Sequence, residues 1–290
     1  MDHISKRTRF LIRKALQEDI GPGDVTTDTL IPPSLLGRAY IQAKAKGIVC
    51  GGAVVKEIFH AIDPRLKVIQ KIDDRSLISK GKKIFVLQGR AASILKGERV
   101  ALNFLSRLSG IATLTRQFVV QTKGTHAKIY DTRKTTPLWR ELEKHAVSIG
   151  GGKNHRFGLW DEVLVKDNHW SAIRGLLEKT HCRYFSDRLK TKLVRKKVPI
   201  EVEVTGLKEL PHLLGGDFRP DRVLLDNFSI SNLKRTVQFF KKNHIKVSLE
   251  ASGGITLANV RRIAKTGVDR ISIGALTHSS PALDFSLEIV

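Results

Sequence analysis

The sequence predicts an α/β protein, an incomplete (β/α) barrel preceded by a mixed α+β unit. Three observations predict it. From residue 127 onward, six short apolar or alternating segments are separated by helical patterns, the grammar of a parallel sheet with crossover helices. Each of those segments ends in a polar residue or in glycine: Asp131, Lys166, Glu203, Asp226, Glu250 to Ser252, and Gly274. Polar ends in succession suit a barrel, where chemistry gathers at the carboxyl ends of many strands. A doubly wound sheet collects its ligand groups at one switch point.

Taken in order, residues 6–18 carry a helical pattern (Phe10, Leu11, Lys14, Ala15), which Gly21, Pro22 and Gly23 then break. Residues 37–47 alternate as a strand, 52–61 read as a helix, and 67–72 and 83–88 alternate again. Between residues 98 and 123 the apolar positions recur at helical spacing, and Gly110 is expected to divide two helices. The six barrel strands are expected at 128–130, 163–165, 200–204, 223–225, 247–249 and 270–273. Helices are expected at 137–148, 171–181, 207–214, 230–242 and 257–265. The last has Thr256 as expected N-cap, Leu257, Val260, Ile263 and Ala264 as its apolar stripe, and Gly267 past its end.

Lys+Arg total 51 against 28 Asp+Glu, a net charge of +23. Such a field attracts polyanions, either nucleic acid or small phosphorylated and carboxylated molecules. Part of it lies in a run from Arg183 through Arg188, Lys190, Lys192, Arg195 and Lys196 to Lys197, and part in Lys234, Arg235, Lys241, Lys242 and Lys246. Only Tyr184 and Phe185 interleave the first run, so it reads as solvated surface and nucleic acid is not the expected partner. No apolar run approaches the roughly 18–20 residues that cross a bilayer. The first residues lack a signal-peptide core, and Cys50 and Cys182 show no metal or disulfide spacing. The expected setting is cytoplasmic, with reduced thiols.

Around the first two strand ends lie Arg133, Lys134, His155, Arg156 and Lys166. Cations converging on one mouth repel each other unless an anion sits among them, and guanidinium forks suit carboxylates and phosphates. Glu201 and Glu203 share one face of their strand, opposite Ile200, Val202 and Val204. With the apolar face toward the helices, both carboxylates point inward and must find a lysine, an arginine or Mg2+. Asp226 is placed likewise. Ser252-Gly253-Gly254, read as leading into the last helix, and Gly274 one βα unit later have the layout of a late-barrel phosphate grip. Gly150-Gly151-Gly152 follows a helix, not a strand, and is no dinucleotide fingerprint.

These residues also carry a resemblance. Asp131-Thr-Arg-Lys-Thr-Thr-Pro137, Gly150-Gly-Gly-Lys-Asn-His-Arg-Phe-Gly-Leu159, Lys166-Asp-Asn-His169, Glu201-Val-Glu-Val204, Leu224-Leu-Asp-Asn227, Glu250-Ala-Ser-Gly-Gly-Ile255 and Gly274-Ala-Leu-Thr-His-Ser279 resemble, in order, the quinolinate phosphoribosyltransferases. Upstream, Glu18-Asp-Ile-Gly-Pro-Gly-Asp-Val-Thr-Thr27 and the stretch from Glu98-Arg99 to Thr113 are similar to that family's amino-terminal domain.

The resemblance implies an N-terminal α+β sandwich domain over 1–115, joined by 277–290, and a phosphoribosyltransferase barrel over 116–276. It implies phosphoribosyl transfer from 5-phosphoribosyl 1-pyrophosphate to quinolinate with decarboxylation, a step of NAD biosynthesis that requires Mg2+. Arg99, Arg133, Lys134, His155, Arg156 and Lys166 would hold the quinolinate carboxylates, with Lys134, Lys166, Glu203 and Asp226 as the catalytic set. Glu203 and Asp226 would address the ribose hydroxyls and Mg2+. Ser252, Gly253, Gly274 and His278 would lie on the 5-phosphate side. Family members form dimers, some of them larger assemblies, in which Arg99 would reach the neighbouring site. Trp139 departs from the small residue or leucine expected after the Thr-Thr-Pro turn, and the segment 183–197 is longer and more basic than the family's. Two rival readings accompany this one: a paralogue for another aromatic acid such as nicotinate, and a basic RNA-binding protein on the same fold. The number of cations favours a dicarboxylate.

Overall fold

A computed structural model of the chain describes residues 4–169, 171–172, 198–210, 213 and 220–290. The chain forms two compact units, one made of Met1–Gln117, Lys134–Gly152 and Ala275–Val290, the other of Phe118–Arg133 and Lys153–Gly274.

The first unit opens with α1 (Lys6–Ile20). Ser5 caps it, its Oγ accepting the Thr8 N–H at 3.1 Å, and Gly21 ends it at φ +55°, a conformation that favours glycine. Thr8, Ile12 and Leu16, four apart, form its buried stripe. The Gly-Pro break after it is followed by a short helix absent from the sequence reading, α2 (Val25–Leu30), because Asp24 accepts the Thr27 N–H at 2.9 Å and starts a turn. Strands β1 (Leu36–Ala43), β3 (Lys67–Gln70), β5 (Lys83–Arg90) and β12 (Phe285–Ile289) make an antiparallel sheet in the order β12-β1-β5-β3. A two-stranded pair, β2 (Gly47–Ile48) and β4 (Leu77–Ile78), and α3 (Gly52–Ile62) complete this part. Ile41, Ile58, Phe59, Phe85 and Leu87 are fully buried, each contributing roughly 1.5–3 kcal/mol of hydrophobic stabilisation.

The long apolar pattern forms one helix and not two: α4 (Ala91–Gln121) runs unbroken through Gly110. The glycine serves packing instead, since a Cβ there would run into the carbonyl oxygen of Pro281. Leu105, Leu108, Ile111 and Ala112, all buried to the last, carry the helix across the roughly 1 kcal/mol propensity cost of that glycine. Before α5 (Arg140–Gly150), Leu138 takes a left-handed conformation (φ 67°) and the Trp139 ring stacks on Phe104 at 4.4 Å between centroids. That stack occupies the bulk by which Trp139 departs from the family pattern. The short α8 (Ala275–His278) leads into β12.

The second unit holds a parallel six-stranded sheet in the order β6 (Lys128–Tyr130), β11 (Arg270–Ser272), β10 (Ser248–Ser252), β9 (Arg222–Asp226), β8 (Ile200–Val204) and β7 (Val163–Val165). Among the described residues β6 and β7 do not pair, so the sheet is open, the incomplete barrel that the sequence predicts. The register puts Glu201 beside Arg222, Glu203 beside Leu224, Leu224 beside Glu250, and Glu250 beside Arg270, all on one face. Val202, Val204, Val223, Leu225, Leu249, Ala251 and Ile271 share the other, and all are buried. Helix α6 (Ile230–Lys242), capped by Ser229 on the Asn232 N–H, buries Leu233, Val237 and Phe240.

The last barrel helix is shorter than expected. Residues 256–259 make a turn in which Asn259 Oδ1 accepts the Thr256 N–H at 2.8 Å, so Thr256 is not the N-cap and α7 spans only Val260–Ala264. Of the helix expected at 207–214, a single 3-10 turn, Leu207–Glu209, is present, and residues 211, 212 and 214 lie outside the described residues. Nearly all of the helix expected at 171–181, and the basic run 183–197, lie outside them as well.

Candidate active site

The site in the second unit is built from strand ends. After β6, the buried Asp131 accepts the His155 N–H at 2.8 Å, and its own N–H donates to the Lys153 carbonyl at 3.1 Å. The turn carrying His155 and Arg156 is thereby laid along the end of the strand. Nε2 of His155 lies 2.9 Å from Glu201 Oε2 and 3.3 Å from Glu250 Oε1, while Nδ1 accepts the Arg156 N–H at 2.8 Å. Arg270 Nε lies 2.6 Å from Glu250 Oε2, and its guanidinium stacks on Tyr130 at 3.8 Å. Arg222 pairs with Glu162, and Arg156 Nη1 donates to the Glu162 carbonyl at 3.1 Å.

Three acids (Glu162, Glu201, Glu250) and three bases (His155, Arg222, Arg270) thus form a belt nearly cut off from water. An inward face made of charges is tolerable only in this paired form. The belt is neutral only when His155 is an imidazolium, a form whose Nδ1–H no longer accepts the Arg156 N–H. Burial opposes that charge, but Glu201 and Glu250 outweigh it and raise His155 to about 9. Burial raises Glu201 to about 7, with Glu250 adding to it. Burial likewise opposes ionisation of Glu250, yet His155 and Arg270 hold its carboxyl below the ordinary value.

Nearer the strand ends, Lys166 Nζ donates to Glu203 Oε2 at 2.5 Å, the lysine side chain 43% exposed and the carboxylate only 7%. Leu164 pairs in register with Glu201, so two residues on Lys166 comes level with Glu203. Glu203 finds its cation in a lysine, Lys166, as expected, whereas Glu201 is met by a histidine, His155, and not by the lysine, arginine or Mg2+ that the sequence suggested. Asp226, half-buried, accepts from Asn227 Nδ2 at 2.7 Å. Asn227 itself sits at φ +55° with its N–H on the Ser252 carbonyl at 2.9 Å, and a Cβ on Gly253 (φ +88°) would run into the Asn227 side chain. Asp226, Asn227, Ser252 and Gly253 therefore form one locked corner. Gly253 and Gly254 turn through left-handed conformations here, and no helix opens directly behind them because α7 begins only at Val260. Gly274 is half-buried two residues beyond the end of β11, and Arg133 is half-buried after β6, where burial together with the Arg133 guanidinium holds Arg156 below the ordinary arginine value.

Of the residues singled out from the sequence, Arg133, His155, Arg156, Lys166, Glu203, Asp226, Ser252, Gly253 and Gly274 belong to this unit. Arg99, Lys134 and His278 belong to the first. Arg99 is exposed on α4, its side chain 63% accessible. Lys134 is exposed on the turn that leads to α5, and His278 is exposed on α8 with Nδ1 at 2.5 Å from Ser279 Oγ. The sequence reading passed over Arg222, Arg270 and Glu162. The signal for the two arginines was the two-residue spacing along Arg222-Val-Leu-Leu-Asp226 and Arg270-Ile-Ser272, which puts Arg222 and Arg270 on the same inward face as the glutamates; Glu162, just before β7, left none. His155, Glu162 and Glu201 stand close enough to suggest a metal centre, but Arg222 and the ring proton of His155 already neutralise those acids. Glu203 and Asp226, on adjacent strands, are oxygen donors of the type a hard cation such as Mg2+ takes, with one oxygen of Glu203 already bonded to Lys166.

An open parallel barrel with cations and two carboxylates at its strand ends, above a neutral charged belt, defines an α/β-barrel enzyme for an anionic substrate. Family comparison makes that class specific: the model of the quinolinate phosphoribosyl transferase C-terminal domain matches residues 111–288, and that of its N-terminal domain residues 24–109. The chain belongs to the quinolinate phosphoribosyl transferase family. It is similar to the probable nicotinate-nucleotide pyrophosphorylase (carboxylating) of Bacillus subtilis, 39% identical over 289 residues that cover 100% of this chain and 95% of the relative. It is also similar to the chloroplastic nicotinate-nucleotide pyrophosphorylase (carboxylating) of Arabidopsis thaliana, at 40% identity over 99% of this chain and 84% of the relative. The solved nicotinate-nucleotide pyrophosphorylase of Francisella tularensis superposes with a TM-score of 0.87 at 34% identity, over 99% of this chain and 98% of that one.

Proposed function

We propose that this enzyme transfers the phosphoribosyl group of 5-phosphoribosyl 1-pyrophosphate to quinolinate with loss of CO2, giving nicotinate mononucleotide and pyrophosphate for de novo NAD biosynthesis. The names of its relatives support this reaction over the nicotinate and RNA-binding readings. The observation that carries it is the set of cations, Arg133, Arg156 and Lys166, on the unit that also bears Glu203 and Asp226. Guanidinium and ammonium groups hold a dicarboxylate, and carboxylates hold ribose hydroxyls. Lys134, Arg99 and His155 belong to the quinolinate side of this reading, and Ser252, Gly253, Gly274 and His278 to the 5-phosphate side.

Loss of pyrophosphate leaves positive character at the anomeric carbon, and the carboxylates of Glu203 and Asp226 stabilise it electrostatically. Lys166, bonded to Glu203, fixes that carboxylate and keeps its own charge for a substrate carboxylate. Attack by the oriented pyridine nitrogen makes a pyridinium, whose positive nitrogen stabilises the electron pair left on the adjacent ring carbon when its carboxylate leaves as CO2; that carbon then takes a proton from solvent. Most of the acceleration is positioning and charge. Glu203 and Asp226 would hold Mg2+ through the pyrophosphate substrate, where the ion supplies neutralisation of the leaving group.

The protein is proposed to act as a homodimer, with Arg99 serving the neighbouring site. Mixing Arg99→Ala and Lys166→Ala chains tests this, since one intact site per mixed dimer restores activity that neither variant has alone. A cytoplasmic setting is part of the same reading, to be checked by fractionation. No described helix is long and apolar enough to cross a membrane. The decisive assay incubates the protein with quinolinate, 5-phosphoribosyl 1-pyrophosphate and Mg2+ and measures nicotinate mononucleotide and CO2. Consumption of nicotinate with no CO2 released from quinolinate overturns the assignment.

A further inference from the structure

Within the first unit, Lys134 stands on a turn that is tied down on both sides by one buried ion pair. Glu143, on α5, is fully buried. Its Oε1 accepts from Arg107 Nε at 3.1 Å and Nη2 at 2.7 Å, and from Thr136 Oγ1 at 2.9 Å, while Oε2 accepts the Thr136 N–H at 3.1 Å. Arg107, on α4, also donates from Nη2 to the Thr277 carbonyl and from Nη1 to the Ser280 carbonyl, the latter at 3.2 Å. Thr277, fully buried on α8, closes the ring by donating its Oγ1 to the carbonyl of Lys134 at 2.7 Å.

The circuit runs from the Lys134 carbonyl through Thr277, Arg107 and Glu143 to Thr136. It joins α4, α5, α8 and the turn with charge-assisted bonds at three of its four links. A core ion pair is weak evidence for stability alone, because apolar residues of similar volume serve as well. What this one adds is location: every acceptor site that Glu143 spends outside Arg107 goes to the Lys134–Thr136 turn. The lysine side chain is left exposed while its backbone is fixed at residues 134 and 136, the arrangement that aims an ammonium without burying it.

We propose that Arg107, Glu143 and Thr277 are positioning residues for Lys134, holding the turn so that its ammonium is presented in one place. The proposal rests on the reading that Lys134 addresses a substrate carboxylate. A displacement of about 1 Å at such a contact costs up to about a hundredfold in rate, which sets the scale for losing the pair. Glu143→Gln keeps the volume and removes the charge, and its kcat/KM for quinolinate is expected to fall roughly ten- to a hundredfold. Thr277→Val removes the hydroxyl that donates to the Lys134 carbonyl, and a fall of roughly three- to tenfold is expected. Both act on the quinolinate KM, with the KM for 5-phosphoribosyl 1-pyrophosphate within about twofold for Glu143→Gln. Glu141→Gln, on the same helix but outside the circuit, is the control and keeps wild-type kinetics.

The deciding measurement is made in the Lys134→Ala background. If Thr277 acts through Lys134, adding Thr277→Val to Lys134→Ala changes nothing further. Additive losses overturn the proposal, as does a folded Thr277→Val enzyme with wild-type quinolinate kinetics. Should Glu143→Gln not fold, the Thr277 cycle decides alone. A Lys134→Ala enzyme that works normally overturns the site reading beneath, and the proposal with it. A collapse there with an unaltered Thr277→Val overturns the positioning role only.

Discussion

The contact between Arg270 and Glu250 offers the sharpest test of the inward charged belt. The two lie 2.6 Å apart with side chains 11% and 0% exposed. At an effective dielectric of about 20, that separation corresponds to an attraction of about 6 kcal/mol, much of which desolvation cancels. Replacing Arg270 by methionine leaves the buried Glu250 with His155 at 3.3 Å as its remaining cation and Ser272 as a neutral partner, so the expected loss is about 3 kcal/mol, the low end for breaking a buried pair. For a protein of this size a loss of about 3 kcal/mol lowers Tm by roughly 6–12 °C. The double variant Arg270→Met/Glu250→Leu removes one charge of each sign and leaves His155–Glu201 and Arg222–Glu162 balanced. It is expected within about 1 kcal/mol of wild type, a coupling of about 2 kcal/mol or more. Calorimetry and urea titration of the four proteins read this directly. Strict additivity, or an Arg270→Met protein as stable as wild type, refutes the idea that charge balance governs the interior of the sheet.

Further outcomes follow from the same geometry. Lys134→Ala is expected to lower kcat/KM for quinolinate at least about a hundredfold with Tm within about 2 °C of wild type, since its side chain is exposed; wild-type kinetics would remove it from the site. His155, raised from 6.5 to about 9 in the folded state, contributes stability that is fully present below about pH 6.5 and is lost as pH rises through about 9. The rise is worth on the order of 3 kcal/mol, and histidine NMR measures it directly; a folded-state value below 7 would show that the Arg156 N–H at Nδ1 outweighs the two carboxylates. Gly253→Ala places a Cβ against Asn227 at φ +88°, whereas Gly81→Ala, at φ +82°, meets nothing within 4 Å. The second is expected to cost about 1 kcal/mol and the first at least twice that, with loss of activity; equal costs by urea titration would deny that the corner is locked.

The barrel strands were legible because a parallel strand buried on its outer face leaves a simple trace, Val202, Val204 and Leu249 alternating with polar partners and Val223-Leu224-Leu225 as a short apolar run. The acids Glu203 and Asp226 were legible for the same reason, standing at strand ends where polarity needs a purpose. What escaped is chiefly long-range. Whether Gly110 breaks a helix or admits Pro281 depends on a segment some 170 residues away, and nothing near Gly110 records it. Thr256 lost the N-cap to a local competitor, Asn259, whose side-chain amide takes the Thr256 N–H and delays the helix. Arg222 and Arg270 looked like ordinary basic residues at strand starts until the register set them beside Glu201 and Glu250, with Glu162 as the salt-bridge partner of Arg222. The quinolinate assignment came from ordered family motifs, since charge and spacing alone lead only to an anion.

The edge pairing of β12 with β1, in which Glu288 lies opposite Tyr40, bears on how the chain is made. During synthesis β1 and β5 leave the ribosome long before their neighbour exists. Until residues 285–289 are made, the outer edge of β1 therefore offers open N–H and C=O groups to any passing strand. Arg38 on that strand and Lys44 and Lys46 just beyond it put like charges along the waiting edge, where two nascent chains would meet. Like charge along an unpaired edge disfavours edge-to-edge pairing of two copies, and in the folded chain the same Lys44 pairs with Glu288 of the strand that covers the edge.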